Sequence, residues 1–229
     1  MTASWIELGA VALLVAAPAA SLAWRSRMGG RRARATVEQL SNDTSYDAAS
    51  GSVCSVQRAD LLIESTALEE IWTPVHLEQL ARTYWRFLTR VTLGLIRVLY
   101  SERGRTVVLL SEPFRLLTFA APEYEMDAAR GLVRWRIERG LLVSRRGRDG
   151  AGYLQIEVGR DPTETSERRR LHVEVAVVNF YPSIASRLSL WLYNATQSRI
   201  HVIVTYGFLR SLVRLDLAES RVRRFAATP

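Results

Sequence analysis

The fold of this chain is decided by residues 131–138, GLVRWRIE, in which apolar and charged side chains alternate. Such alternation is typical of a β-strand with one buried face and one solvated face. Two later segments, 154–158 and 171–177, repeat the pattern. Glycine, proline and aspartate residues separate the three segments, so the sequence predicts an antiparallel meander of three strands.

Outward from this meander, the sequence predicts further strands and three helices. Ser65 and Pro74 are suited to the first positions of two helices, the second of which carries apolar residues at helical spacing. Pro182 opens a longer helical pattern after the last strand. Four further segments predict strands: 57–64, 92–100, 106–110 and 114–120.

This order of elements resembles the START-like, or polyketide cyclase-like (SRPBCC), helix-grip superfamily. The resemblance spans about residues 56–215 and rests on 111–119, SEPFRLLTF, and on the strand at 131–136. It implies an α+β fold in which a curved antiparallel sheet wraps around a long C-terminal helix. It also implies an apolar cavity that commonly holds a lipid or another hydrophobic ligand. The residues expected to line this cavity are Val133, Trp135, Ile137, Leu154 and Ile156.

A hydrophobic segment near the N-terminus predicts a membrane anchor. Between Trp5 and Trp24 almost every residue is apolar, which is enough for one helix to span a bilayer. The arginines follow this segment, so the positive-inside rule predicts a single-pass protein of the cell membrane with its main domain in the cytoplasm. The alternative is a signal peptide cleaved after Ala23, but the segment has no basic residue before it.

These features predict four regions along the chain. The anchor and its basic flank occupy residues 1–35, and a polar linker with little fixed structure follows at 36–55. The helix-grip domain is expected at 56–217. A basic tail completes the chain at 218–229.

Composition excludes several kinds of chemistry. Lysine is absent, so there is no lysine for a Schiff base or for a phosphate-binding loop. The single cysteine, Cys54, excludes an intramolecular disulfide and a zinc site built on cysteines, and its context favours a surface or linker thiol. His172 and Glu174 share a strand face, which is more typical of a surface pair than of a catalytic or metal site. We therefore predict no catalytic residues, no metal and no cofactor.

The net charge of +8 favours anionic partners. Arg145, Arg146 and Arg148 form one basic turn, and residues 168–170 form a second. Beside a membrane, such a turn can orient the domain on anionic headgroups. Antiparallel pairing places the two turns at opposite ends of the sheet, so only one of them can contact the bilayer. Nucleic acid is disfavoured, because the tryptophan between Arg134 and Arg136 points to the apolar face.

Three functions remain open at this point. The first is a cytoplasmic domain, tethered to the membrane, that binds a hydrophobic ligand or lipid in a cavity between sheet and helix. The second is a structural or interaction protein whose core is filled. The third is a cyclase- or hydrolase-like enzyme of the same fold. A filled core and a ligand cavity have the same sequence signature, so the sequence does not distinguish between these three functions.

Overall fold

A computed structural model describes residues 35–47, 49–101, 104–145 and 152–181. These ranges contain nine strands and two helices. The strands are β1 (Ala35–Tyr46), β2 (Val53–Glu64), β3 (Ile96–Ser101), β4 (Gly104–Leu109), β5 (Arg115–Ala120), β6 (Glu123–Met126), β7 (Arg130–Arg139), β8 (Tyr153–Arg160) and β9 (Arg168–Phe180). The helices are α1 (Ser65–Ile71) and α2 (Pro74–Val91).

All nine strands join one antiparallel sheet. Its order is β1-β2-β9-β8-β7-β5-β4-β3, and β6 pairs with β7 outside this path. The predicted meander is confirmed, because β7 pairs with β8 and β8 pairs with β9. Trp135 lies opposite Leu154, and Leu154 lies opposite Val177. Residues opposite each other point to the same face, so these side chains share the apolar face of the sheet.

Helix α2 packs against the apolar face. Its start follows the predicted pattern, since Pro74 occupies the first turn and the Thr73 hydroxyl accepts a hydrogen bond from the His76 amide. The buried residue Trp85 meets Trp135 edge to face, with ring centroids 5.2 Å apart. Trp85 also contacts Phe119 at 5.3 Å. This aromatic cluster joins the helix to the centre of the sheet.

The prediction of a polar linker at residues 36–55 is wrong. These residues form most of β1 and the start of β2, and the two strands pair from Ala35↔Ile63 to Tyr46↔Val53. The prediction failed because β1 is an edge strand with most of its side chains exposed. Such a strand is held by backbone hydrogen bonds to its neighbour and needs no apolar alternation of its own.

The predicted helix-grip fold class is also wrong. The described chain is dominated by its antiparallel sheet, and the helices that cover it lie between β2 and β3. Trp135, which was expected to face a C-terminal helix, packs against Trp85 of α2 instead. The last described element is β9. The helix predicted from Pro182 and the anchor predicted at residues 5–24 lie outside the described residues. Within the described ranges, no helix is both long and apolar enough to cross a bilayer.

The strand predicted at residues 92–100 starts later in the structure, after a turn that connects α2 to β3. The segment 92–100 was predicted to be a strand, but β3 begins only at Ile96. The Thr92 hydroxyl donates to the Leu88 carbonyl and accepts from the Ile96 amide, which fixes a turn after the helix. Leu93 and Gly94 have positive φ angles of 52° and 82° in this turn. The turn therefore places Leu93 at one end of the sheet.

Candidate functional site

The five residues predicted to line a cavity are all buried in the main hydrophobic core. Val133 and Ile156 are fully inaccessible, and they pair directly across β7 and β8. Trp135 is covered by Trp85. These side chains have the packing expected of a protein interior, where contacts between neighbours leave little free space.

A small pocket lies elsewhere, between the two helices and the sheet. Its volume is about 50 Å3, whereas an apolar cavity of about 150 Å3 accommodates benzene. None of the five predicted residues lines it. Its walls are almost entirely apolar and come from Ile63, Leu68, Ile71, Trp72, Thr73, His76, Leu77, Leu80, Met126, Val158 and Leu171.

Two buried arginines lie beside this pocket. The side chains of Arg160 and Arg169 are 9% and 10% exposed, and both contact the carboxylate of Glu69, at 3.0 and 2.6 Å. The guanidinium carbon of Arg160 also lies 4.4 Å from the ring centroid of Trp72, a wall of the pocket. Hydrogen bonds from Arg160 and Arg169 lower the pKa of Glu69. Glu69 therefore stays ionised and connects α1 to two strands.

The predicted basic turn is only partly described. Arg145 is exposed at the end of the segment that follows β7, while Arg146 and Arg148 lie outside the described residues. The Ser144 amide donates to the Tyr181 carbonyl just beyond β9, whereas Arg168 begins β9. Arg145 and Arg168 therefore lie toward opposite ends of that strand, as the pairing predicted.

The second predicted turn, 168–170, belongs to β9. Arg169 is buried against Glu69, and Arg170 contacts Glu38 of β1 at 3.2 Å. Arginines held in this way are less available to an anionic surface.

At the end of the sheet near Arg145, four large apolar side chains are exposed. We call this set the apolar end; their exposed fractions are 73% for Leu93, 51% for Leu110, 40% for Phe114 and 59% for Leu141. They come from the α2–β3, β4–β5 and post-β7 connections. These side chains were not predicted to be exposed, because Leu93, Leu110 and Phe114 fall within segments predicted to be strands.

Backbone hydrogen bonds link these connections to one another. The Leu110 amide donates to the Leu95 carbonyl, which links the α2–β3 turn to the β4–β5 turn. The Leu141 amide donates to the Arg115 carbonyl, which links the post-β7 segment to the start of β5. The Leu109 amide donates to the Phe114 carbonyl and closes the β4–β5 turn. The four apolar side chains are therefore carried by adjoining loops.

Two of these leucines have an unfavourable backbone conformation. Leu93 and Leu110 have φ angles of 52° and 62°, in the left-handed region that glycine and asparagine tolerate better than leucine. Each of them thus combines backbone strain with an apolar side chain in water. Neither folding nor solubility favours a leucine at such a position, which points to a role in binding.

The charge around the apolar end is positive. Residues 90–97, 109–116 and 138–145 contain five arginines and two glutamates, all of them exposed: Arg90, Arg97, Arg115, Arg139, Arg145, Glu112 and Glu138. The turn between β8 and β9 lies at the opposite end of the sheet. Its residues 161–167 contain three acidic residues and no basic one: Asp161, Glu164 and Glu167. The loops of the apolar end therefore carry a net positive charge, whereas the 161–167 turn carries a net negative charge between the basic residues Arg160 and Arg168.

The remaining polar residues considered from the sequence form ordinary surface pairs. His172 Nδ1 lies 2.5 Å from Asp60, and Glu174 contacts Arg58 at 2.7 Å, so His172 and Glu174 do not pair with each other. Cys54 lies partly buried in β2, where desolvation raises the pKa of its thiol. No group of three or more histidine, cysteine or acidic side chains is arranged for a metal ion in the described part of the chain.

The sequence matches no protein-family model and no curated protein.

Proposed function

We propose that this protein is a membrane-associated domain whose apolar end docks on an anionic lipid leaflet. The observation that carries the proposal is the apolar end itself, with two strained, exposed leucines and a surrounding set of arginines. The predicted N-terminal anchor would hold the domain beside the cytoplasmic leaflet. Docking would then fix which end of the domain faces the lipid.

A hydrophobic and an electrostatic contribution to the free energy of membrane binding favour this orientation. Insertion of the exposed leucines and Phe114 into the interface removes apolar surface from water, at roughly 25 cal/mol per Å2. Each arginine near an anionic surface contributes about 1 kcal/mol more. The acidic turn at 161–167 is repelled by the same surface. The apolar end, which combines exposed apolar side chains with unburied arginines, is thus the end expected to face the lipid.

The ligand-cavity hypothesis receives less support from the geometry. Its five residues are packed in the core, and the pocket between the helices and the sheet has only about 50 Å3 of space. A lipid chain needs considerably more room than this. Docking through the surface requires no internal cavity and uses residues that have no evident structural reason to be exposed.

The proposal is tested by spin labels at the two ends of the full-length chain, reconstituted in lipid vesicles. Cys54→Ala removes the only native thiol. Labels are then attached singly at Ser111→Cys, in the β4–β5 turn, and at Thr165→Cys, in the acidic turn, both of which are exposed positions. Collision rates with oxygen and with a water-soluble nickel chelate report whether each label is in lipid or in water.

In anionic vesicles we expect lipid contact at position 111 and water contact at position 165. The contact at 111 weakens in neutral vesicles and as salt rises from 0.1 to 1 M, because the Debye length falls from about 10 to 3 Å. Equal water exposure of both labels in anionic vesicles would mean that the domain is tethered without docking, and lipid contact at 165 would mean the opposite pose. Either result refutes the proposal.

A further inference from the structure

The arginines beside the pocket carry more positive charge than their one described acidic partner neutralises. Arg160 and Arg169 both contact Glu69, and each arginine side chain is about nine-tenths buried. Arg169 Nε is inaccessible to solvent and has no hydrogen-bond partner among the described residues. A buried guanidinium without full compensation is unfavourable unless a further anion or acceptor reaches it.

The pocket and the arginines are adjacent parts of one site. Arg169 pairs with Ile63 across β2 and β9, and Arg160 pairs with Leu171 across β8 and β9. Ile63 and Leu171 both line the pocket, so the two arginines lie on the same face of the sheet as its walls. Trp72 joins the two parts, because it forms a pocket wall and stacks against Arg160.

Glu69 is the exchangeable member of this group. Its side chain is 52% exposed, whereas both arginines are buried. It belongs to α1, a helix of seven residues whose N-cap makes no side-chain hydrogen bond. A short helix without a cap has little stability of its own. An incoming anion could therefore share the arginines with Glu69, or take its place, without disturbing the sheet.

We infer that this site binds a small amphipathic anion, with a carboxylate or phosphate on Arg160 and Arg169 and a short apolar group in the pocket. Planar oxyanions match the fork of donors on a guanidinium, and the apolar walls offer a chain no polar partner. The volume of about 50 Å3 restricts the apolar part to a few carbon atoms. This inference is independent of membrane docking, which involves the other end of the sheet.

The test measures thermal unfolding of the full-length chain in neutral lipid nanodiscs with three probes. Butyrate has both the anion and a short chain, butanol has the chain alone, and inorganic phosphate has the anion alone. We expect butyrate to raise the unfolding midpoint in a saturable way and the other two probes to do so weakly or not at all. Equal effects of butanol would refute the anion site, and equal effects of phosphate would refute the role of the pocket.

Three variants separate binding from a purely structural role. Arg169→Met should weaken butyrate binding at least tenfold, while Arg170→Gln, on the same strand but exposed, should leave binding unchanged. Glu69→Gln removes the internal competitor, so the unfolding midpoint of this variant falls without ligand but rises more with butyrate than that of the unmodified protein. If Glu69→Gln only destabilises the protein and butyrate restores nothing, the three charges have a purely structural role and the inference is wrong.

Discussion

Replacing Leu93 and Leu110 together by asparagine should weaken docking strongly without lowering the stability of the domain. Both leucines have left-handed backbone angles, which cost about 1 kcal/mol or more for a residue other than glycine or asparagine. Asparagine tolerates this region because its short side chain can hydrogen-bond locally. The double variant should therefore unfold at the same urea concentration as the unmodified protein, or at a higher one.

The loss of docking follows from the apolar area that the two side chains expose. Complete burial of a leucine contributes about 1.5–3 kcal/mol. Leu93 is 73% exposed and Leu110 is 51% exposed, so inserting both exposed parts is worth roughly 2–4 kcal/mol. Since 1.4 kcal/mol is a factor of ten, the ratio of docked to undocked domain should fall at least about thirty-fold.

The assay is the lipid contact of the spin label at position 111, measured in anionic vesicles beside the urea midpoint. The matched control is Leu99→Asn, because Leu99 is an exposed leucine within β3 and outside the apolar end. The reasoning is refuted if the double variant still docks to within threefold of the unmodified protein. It is also refuted if docking and the urea midpoint fall together, since the leucines would then be structural.

Two further predictions concern stability. Trp135→Ala should lower the free energy of unfolding by about 3–5 kcal/mol in urea, because the indole is buried against Trp85; a loss below about 1 kcal/mol would contradict its place in the core. The carboxyl of Glu69 has a lowered pKa, so its contribution is complete above the ordinary value of about 4.3 and is lost as pH falls through the lowered value. The difference in urea midpoint between the unmodified protein and Glu69→Gln should therefore shrink between pH 6 and pH 3, and a difference that does not change with pH would contradict the ionic role.

The sequence was most informative where one face of a strand is buried and the other is solvated. Val133, Trp135 and Ile137 alternate with charged residues, so the β7–β8–β9 meander could be predicted together with the face that each side chain occupies. The same pattern could not distinguish a packed core from a cavity wall. That difference depends on Trp85, which lies 50 positions earlier and reaches Trp135 only in the folded chain.

The two candidate sites escaped prediction for different reasons. The apolar end depends on the left-handed φ angles of Leu93 and Leu110. These angles could not be predicted from the sequence, because leucine rarely adopts that region. The arginine site depends on strand register. Arg160 and Arg169 lie nine positions apart in sequence, and Glu69 belongs to a distant helix, so only the pairing of β8 with β9 and the packing of α1 bring the three charges together.

Helix α2 separates the two proposed sites by a fixed distance. Its first turn contributes His76 and Leu77 to the pocket, and Leu93 follows its last turn. Eighteen residues at 1.5 Å each give about 27 Å, close to the thickness of the hydrocarbon core of a bilayer. In a docked domain, a lipid whose tails remain in the membrane would be too far away to place its headgroup on Arg160. The small anion would therefore arrive from the aqueous phase, and the domain would hold a water-soluble compound at a set height above the lipid surface.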